Sequence, residues 1–211
     1  MDFSLKTSFT AVVCGPSRAG KSSFIVNLLR KSHDIYDRTP GKVMYCYKVH
    51  QQEFDGMQDI VQEFRKGIPS VEELEEFSQT TSNGTIVIDD LAEEMTKDFT
   101  QFFTTYSHHM DLSVIFVCHQ IYSKNPAFRT IALNTSYFII FRTPRDTISI
   151  STLLRQHSPE NWKTLRDMYN NATSEPYSYF FIDFQSSTPD WKRYRSNILY
   201  ENGKPMKLYM L

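Results

Sequence analysis

Three things are scarce in this chain: long apolar runs, an excess of either charge, and cysteine. No stretch approaches the ~20 apolar residues that a membrane-spanning helix needs, so no membrane span is expected. The opening residues, Met1 to Lys6, lack the basic-then-apolar plan of a secretory leader. Lysine plus arginine number 23 against 24 aspartate plus glutamate, a net charge of −1. That balance excludes a strongly basic nucleic-acid binder, while leaving room for contact through a few loops lining a ring. The three cysteines, Cys14, Cys46 and Cys118, each sit inside an apolar run. They read as small buried hydrophobes of a reducing compartment, and no Cys/His spacing suggests zinc.

No internal repeat, low-complexity tract or long linker breaks up the 211 residues. With 40% hydrophobic residues, 16 Phe and 12 Tyr, the chain can bury a substantial core. Its length suits one α/β domain over 1–211, with a core at about 7–172 and a β-hairpin and tail at about 176–211.

Against these absences stands one dense motif. Gly15, Pro16, Ser17, Arg18, Ala19, Gly20, Lys21 and Ser22 fit Gly-x-x-x-x-Gly-Lys-[Ser/Thr] at every fixed position. The apolar run Phe9–Cys14 leads in and a helix-compatible run, Ser22–Arg30, leads out. Strand, glycine-rich loop and helix are the context the motif requires. Backbone N–H groups of this loop, which together with Ser23 forms the candidate ATP-binding segment, would wrap the phosphates, helped by the helix N-terminus. Lys21 would reach the β- and γ-phosphates, and the Ser22 hydroxyl would sit on Mg²⁺.

Strands are expected at Phe9–Cys14, Lys42–Tyr47, Thr85–Asp89, Leu112–Cys118 and Tyr137–Phe141, all nearly continuously apolar, as in a sheet covered on both faces. Helices are expected after the phosphate loop, from Ser70 where Ser70-Val-Glu-Glu73 has capping-box spacing, and over Ala92–His108, Thr147–Gln156 and Glu160–Asn170. In the Ala92–His108 segment Met95, Phe99, Phe102, Phe103 and Tyr106 form an aromatic stripe that reads as core packing. The alternation predicts a phosphate-loop α/β fold of the ASCE/RecA-like type. Its central sheet is mainly parallel, with helices on both faces. Tyr177–Phe184 and Trp191–Ile198 would close it as a C-terminal β-hairpin. Ligands bind such sheets beyond the carboxyl ends of the strands, where the loop and the ends of the third and fourth strands should meet.

Two further features fit that edge. The third strand ends in Asp89-Asp90, about 70 residues after the loop. Asp89 would hold Mg²⁺, and Asp90 would either polarise the attacking water or cap the next helix. The fourth strand ends in His119-Gln120, and either residue could face the γ-phosphate and report its hydrolysis.

Taken together these residues resemble the FtsK–HerA superfamily, and within it the small genome-packaging ATPases of the poxvirus-like and Maverick/Polinton type. The likeness runs from about Phe9 to Ile198. Besides the phosphate loop and Ile86-Val-Ile-Asp-Asp-Leu91, it rests on Gly67-Ile-Pro-Ser70, Ser107-His-His109 with Ser113-Val-Ile-Phe116, Arg129-Thr-Ile-Ala-Leu-Asn134, Phe141-Arg-Thr-Pro-Arg-Asp146 and Leu154-Arg-Gln156. Two positions depart from the pattern. Cys118-His119-Gln120 stands where Thr-Gln-Asn is common, so by register His119 occupies the sensor position. His108-His109-Met110-Asp111 carries no arginine where relatives place one that reaches a neighbour's ATP site. Arg129 is the first candidate for that role, with Arg142 and Arg145 next.

The resemblance implies an ATPase that assembles as a homo-oligomeric ring and drives double-stranded DNA into a preformed capsid inside the host cell, with a capsid or portal protein as partner. DNA contact would be to phosphates, without sequence preference. The loop Ile121–Phe128, which carries Lys124, is a candidate lever or an ordinary strand–helix connector. Trp191-Lys-Arg-Tyr-Arg195 is the densest basic run and reads as a solvated face of the hairpin. A small-molecule phosphotransferase, a nucleotide-binding assembly scaffold and a cellular DNA pump are the competing functions.

Overall fold

The computed structural model describes residues 2–50, 52–106, 109–122 and 125–211. In chain order the elements are β1 (Thr10–Cys14), α1 (Lys21–Arg30), α2 (Ser32–Ile35), β2 (Val43–Tyr47), β3 (Glu63–Lys66), α3 (Val71–Gln79), β4 (Gly84–Asp89), α4 (Lys97–Gln101), β5 (Leu112–Cys118), α5 (Pro126–Leu133), β6 (Tyr137–Phe141), α6 (Thr147–His157), α7 (Trp162–Ala172), β7 (Tyr179–Asp183), α8 (Asp190–Arg193), β8 (Tyr194–Ser196) and β9 (Lys207–Tyr209). One sheet joins every strand in the order β3-β2-β4-β5-β1-β6-β7-β8-β9. The pairings from β3 to β6 are parallel, and β7, β8 and β9 follow antiparallel.

Successive residues of a strand point to opposite faces, so apolar strands here serve two cores at once. Val12, Ile86, Ile88, Val114, Phe116 and Ile140 face one core, closed by Leu74 and Phe77 of α3, the Phe99–Phe103 segment, Phe128 of α5, Leu154 of α6 and Leu165 of α7. Val13, Tyr45, Val87, Ile115, Val117 and Ile139 face the other, closed by Phe24, Ile25 and Leu28 of α1, Ile35 of α2 and Phe54. All three cysteines are buried and free. With β5 inserted between β1 and β4, this is the mostly parallel, helix-flanked sheet of an ASCE/RecA-like phosphate-loop NTPase.

Ser70 caps α3 with the expected capping box, its hydroxyl accepting from Glu73 N while the Glu73 carboxylate accepts from Ser70 N. The helix expected over Ala92–His108 is instead broken into three pieces. A 3-10 turn at Ala92–Glu94 ends in Met95, whose backbone is extended. Thr96 then caps α4, accepting from Phe99 N, and a π-helix follows at Phe102–Tyr106. Asn125 fixes the break by donating its amide to the carbonyls of Ala92, Glu93 and Met95. The Thr100 and Thr104 hydroxyls also bond carbonyls one turn back, which competes with regular helix. The aromatic stripe is core all the same, with Phe99, Phe102 and Phe103 buried. Ser107 and His108 lie outside the described residues.

The C-terminal hairpin has a shorter second arm than expected. Asp190–Arg193 winds into α8, and of β8 only Tyr194 and Arg195 pair with β7. The basic run is accordingly no solvated face. Arg193 donates to the carbonyls of Asp183, Gln185 and Thr188 and clamps the connection. Arg195 is 1% exposed, 3.3 Å from Asp183 Oδ2 and 4.3 Å from the Phe181 ring centroid. The loop expected at 121–128 ends early, because Asn125 caps α5, accepting from Ala127 N, and Pro126 opens the helix.

Candidate phosphate-binding site

The phosphate loop leaves β1 under tight steric control. Gly15 donates to Cys118 O, and a Cβ at Gly15 would lie 2.7 Å from Phe141 Cβ, so a side chain there would push the loop off β6. Pro16 O accepts from Ala19 N to close the turn. Ser17 and Arg18 are exposed at its apex, Arg18 in the left-handed region at φ 62°. Gly20, at φ 102°, is the N-cap of α1 and has no side chain to cap it. The first-turn amides of α1 are therefore left for an external acceptor. Ser22 and Ser23 are exposed in that turn.

Lys21 folds back over its own loop. Its ammonium donates to Gly15 O at 2.6 Å and Pro16 O at 3.0 Å, and reaches His119 Nδ1 at 3.2 Å. Those three contacts use all three of its donors. Burial lowers its pKa from the ordinary lysine value, while the nearby cysteines, Asp89 and Asp90 act in the opposite sense.

Asp89 ends β4 on the α1 face of the sheet, two residues after Val87. It is 8% exposed, and its Oδ2 accepts from the Tyr45 hydroxyl at 2.7 Å. Burial raises its pKa; the Tyr45 hydrogen bond and the Lys21 charge pull it down, and Asp90 pushes it up. Tyr45 was not singled out from the sequence. Its signal was weak: a tyrosine in β2, beside β4 and on the same face as Asp89.

Asp90 turns out of the strand at φ 56°, and its N–H donates to Val117 O at 3.1 Å. The following 3-10 turn is N-capped by Leu91 without a side-chain bond, so Asp90 is not the helix cap. Instead its Oδ1 lies 3.4 Å from His119 Nε2. His119 thus bridges Lys21 and Asp90. An ammonium can only donate, so the network assigns His119 Nδ1 as acceptor and puts the ring proton on Nε2, toward Asp90. Gln120 is exposed just beyond.

The structure therefore brings Lys21, Asp89, Asp90 and His119 to the carboxyl ends of β1, β4 and β5. Among the described residues no hydrogen bond or ion pair joins Arg129, Arg142 or Arg145 to this cluster. Arg129 is exposed on α5 and lines a cleft with Tyr122, Leu153 and Gln156. Arg142 and Arg145 are exposed after β6, just ahead of Asp146, which caps α6 by accepting from Ser149 N. Lys124 lies outside the described residues.

Among the described residues no group of three or more His, Cys, Asp or Glu side chains could hold a metal by itself. The donors present, a buried carboxylate with one oxygen engaged by Tyr45 and an exposed serine hydroxyl, are hard oxygens. They suit Mg²⁺, which is typically held by one or two carboxylates together with water and substrate phosphate.

No protein-family model matches the chain, and no curated protein matches it. Solved structures do. The genome packaging NTPase B204 from Sulfolobus turreted icosahedral virus 2 is similar in fold in three states. Its complex with ATP-gammaS superposes with a TM-score of 0.58 at 15% identity, covering 85% of this chain and 94% of that one. The sulfate complex gives 0.57 at 17% identity over 85% and 93%, and the AMP complex 0.53 at 17% identity over 89% and 96%. At these identities the likeness is one of fold, and it extends over nearly the full length of both chains.

Proposed function

We propose that this chain is an ATP-hydrolysing motor that translocates double-stranded viral DNA into a preformed capsid, as a homo-oligomeric ring of single phosphate-loop domains spanning 1–211. The observation that carries the reading is the cluster of Lys21, His119, Asp90 and Asp89 at one sheet edge, on β-strands ordered β4-β5-β1. The fold likeness to B204 supports it.

In this reading the amides left without a carbonyl partner among the described residues, those of Ser17, Arg18 and Gly20 to Ser23, wrap the phosphates. Lys21 exchanges the Gly15 and Pro16 carbonyls for phosphate oxygens. Ser22 and Asp89 hold Mg²⁺, which neutralises charge on the phosphates when bound. Phosphoryl transfer asks mainly for positioning and charge. Asp90 orients the attacking water and takes its proton. His119, linked to both Lys21 and Asp90, senses loss of the γ-phosphate and passes that change to the segment after β5, with Gln120 as the neighbouring candidate. Arg129, outside the cluster of its own chain, serves a neighbour's site, with Arg142 and Arg145 as substitutes. DNA is gripped by its phosphates, a capsid or portal protein docks the ring, and the work is done in the host cell interior where virions assemble.

The test is steady-state ATP hydrolysis with and without long double-stranded DNA, for wild type, Lys21→Ala and Arg129→Ala. The expected result is DNA-stimulated turnover that Lys21→Ala abolishes, with Arg129→Ala binding ATP normally and rescued by trace wild-type subunits. Turnover indifferent to DNA, with phosphate passed to a metabolite, would replace this reading with that of a small-molecule phosphotransferase.

A further inference from the structure

Next to the last glycine of the phosphate loop lies a cleft of about 390 Å³ that no role above uses. Its size falls in the range of about 300–1,000 Å³ common to small-molecule clefts. One wall is α1, where Ser23 and Asn27 stand four residues apart on the same side, roughly 6 Å along the axis. The other wall is Tyr177, Tyr200 and Glu201.

The tyrosines are placed unusually for apolar rings. Tyr177 is 72% exposed and Tyr200 52% exposed. Tyr177 lies directly on the phosphate loop: a Cβ at Gly20 would be 3.2 Å from Tyr177 Cδ1 and 3.3 Å from Tyr177 Cβ. The wall is also pinned. Lys31, at the end of α1, donates to Leu199 O at 2.7 Å, and Asn27 Nδ2 donates to Glu201 Oε1 at 2.7 Å. The segment carrying Tyr200 and Glu201 is thus held against α1 before any ligand arrives.

We propose that this cleft is the base subsite, in which the nucleobase stacks on Tyr177 under Tyr200 while Asn27 and Glu201 read its edge. The inference rests on the nucleotide reading above and extends it. Continuity decides the occupant: the cleft opens where Gly20 and Ser23 meet the phosphates, so it receives what the phosphates are attached to. A carboxylate only accepts hydrogen bonds, and the Asn27 amide still has a free acceptor oxygen and one spare donor hydrogen. That set pairs with an edge that offers a donor beside an acceptor, as adenine does at N6 and N1 and hypoxanthine at N1 and O6, so a purine edge is read without strong preference between the two.

The test is calorimetric titration of the full chain with ATP, inosine triphosphate and inorganic tripolyphosphate, each with Mg²⁺. Wild type should bind ATP at least tenfold more tightly than tripolyphosphate, with inosine triphosphate close to ATP. Base–aromatic stacking of ordinary strength makes Tyr177→Ala lose about tenfold in ATP affinity. Its tripolyphosphate affinity should hold within about twofold, and Tyr177→Phe should keep both. Tyr200→Ala should show the same selectivity with a smaller loss. Lys21→Ala should weaken all three ligands together. Equal affinity of wild type for ATP and tripolyphosphate, or parallel losses for both in Tyr177→Ala, overturns the base subsite and leaves the phosphate loop standing. Wild type that binds none of the three overturns the nucleotide reading as well.

Discussion

The Tyr45 hydroxyl donates to Asp89 Oδ2 at 2.7 Å, so a side chain of β2 holds the carboxylate that ends β4. The tyrosine is buried at 1% exposure and the aspartate at 8%. Hydrogen bonds to charged groups contribute about 1.5–3 kcal/mol. Tyr45→Phe should therefore lower Tm by several degrees, at about 2–4 °C per kcal/mol for a chain of this size. Differential scanning calorimetry checks this, and the variant's ATP hydrolysis should need a higher Mg²⁺ concentration for half-maximal rate.

Asp89 itself should cost the ligand-free protein stability. Burial raises its folded pKa above the unfolded value. Between the two values the folded state holds more protons than the unfolded one, so stability falls as pH rises through that window. Asp89→Asn should accordingly have a higher Tm than wild type at pH 7. The gain should shrink as pH is lowered toward the ordinary aspartate value. Thermal melts across pH 4–8 decide it, and a lower Tm for Asp89→Asn at pH 7 contradicts it.

His119 and Gln120 should separate sharply. Only the first reaches Lys21 and Asp90. His119→Ala should reduce kcat on the order of 10²-fold, the size of effect seen when one preorganised polar group is removed from an active site. Its ATP affinity should stay within about threefold. Gln120→Ala should stay within about twofold in both. Steady-state kinetics with parallel binding titrations measure the difference, and equal losses would return the sensor role to Gln120.

The Arg195–Asp183 ion pair offers a structural test away from the loop. Both side chains are nearly inaccessible, and Arg195 also donates to Phe3 O at 3.0 Å. Removing one partner of a buried pair leaves an uncompensated charge, at a cost of about 3–5 kcal/mol. Asp183→Ala should lose that much in urea unfolding, and the double replacement Asp183→Leu/Arg195→Met should regain most of it.

Much of this architecture could be read directly from residue order. The five central strands are continuously apolar because both faces are covered, and their limits were placed within a residue. The Ser70 capping box was legible because its two hydrogen bonds are local. What escaped was decided by distant partners. β3 is the run Glu63-Phe-Arg-Lys66, an edge strand too charged to show a buried pattern. The helix after β4 breaks because Asn125, some thirty residues on, takes its carbonyls. Strand alternation carried through Asp190–Arg193 makes the basic run a solvated face, but that segment coils and Arg195 is buried. At the candidate site, the loop, the paired aspartates and His119 came from motif spacing. Tyr45 did not, because its role comes from the pairing of β2 with β4 and belongs to no motif.

Both margins of the nine-stranded sheet are blunted. At one end β3 presents Glu63, Arg65 and Lys66, and at the other β9 has three residues, with Lys207 and Leu208 exposed. Charge and brevity at an edge discourage another chain from adding a strand. The ring proposed above would accordingly join its copies through side chains of helices and loops. In the ring proposed above, seams without a shared backbone ladder would be open to breaking and remaking within a single turnover.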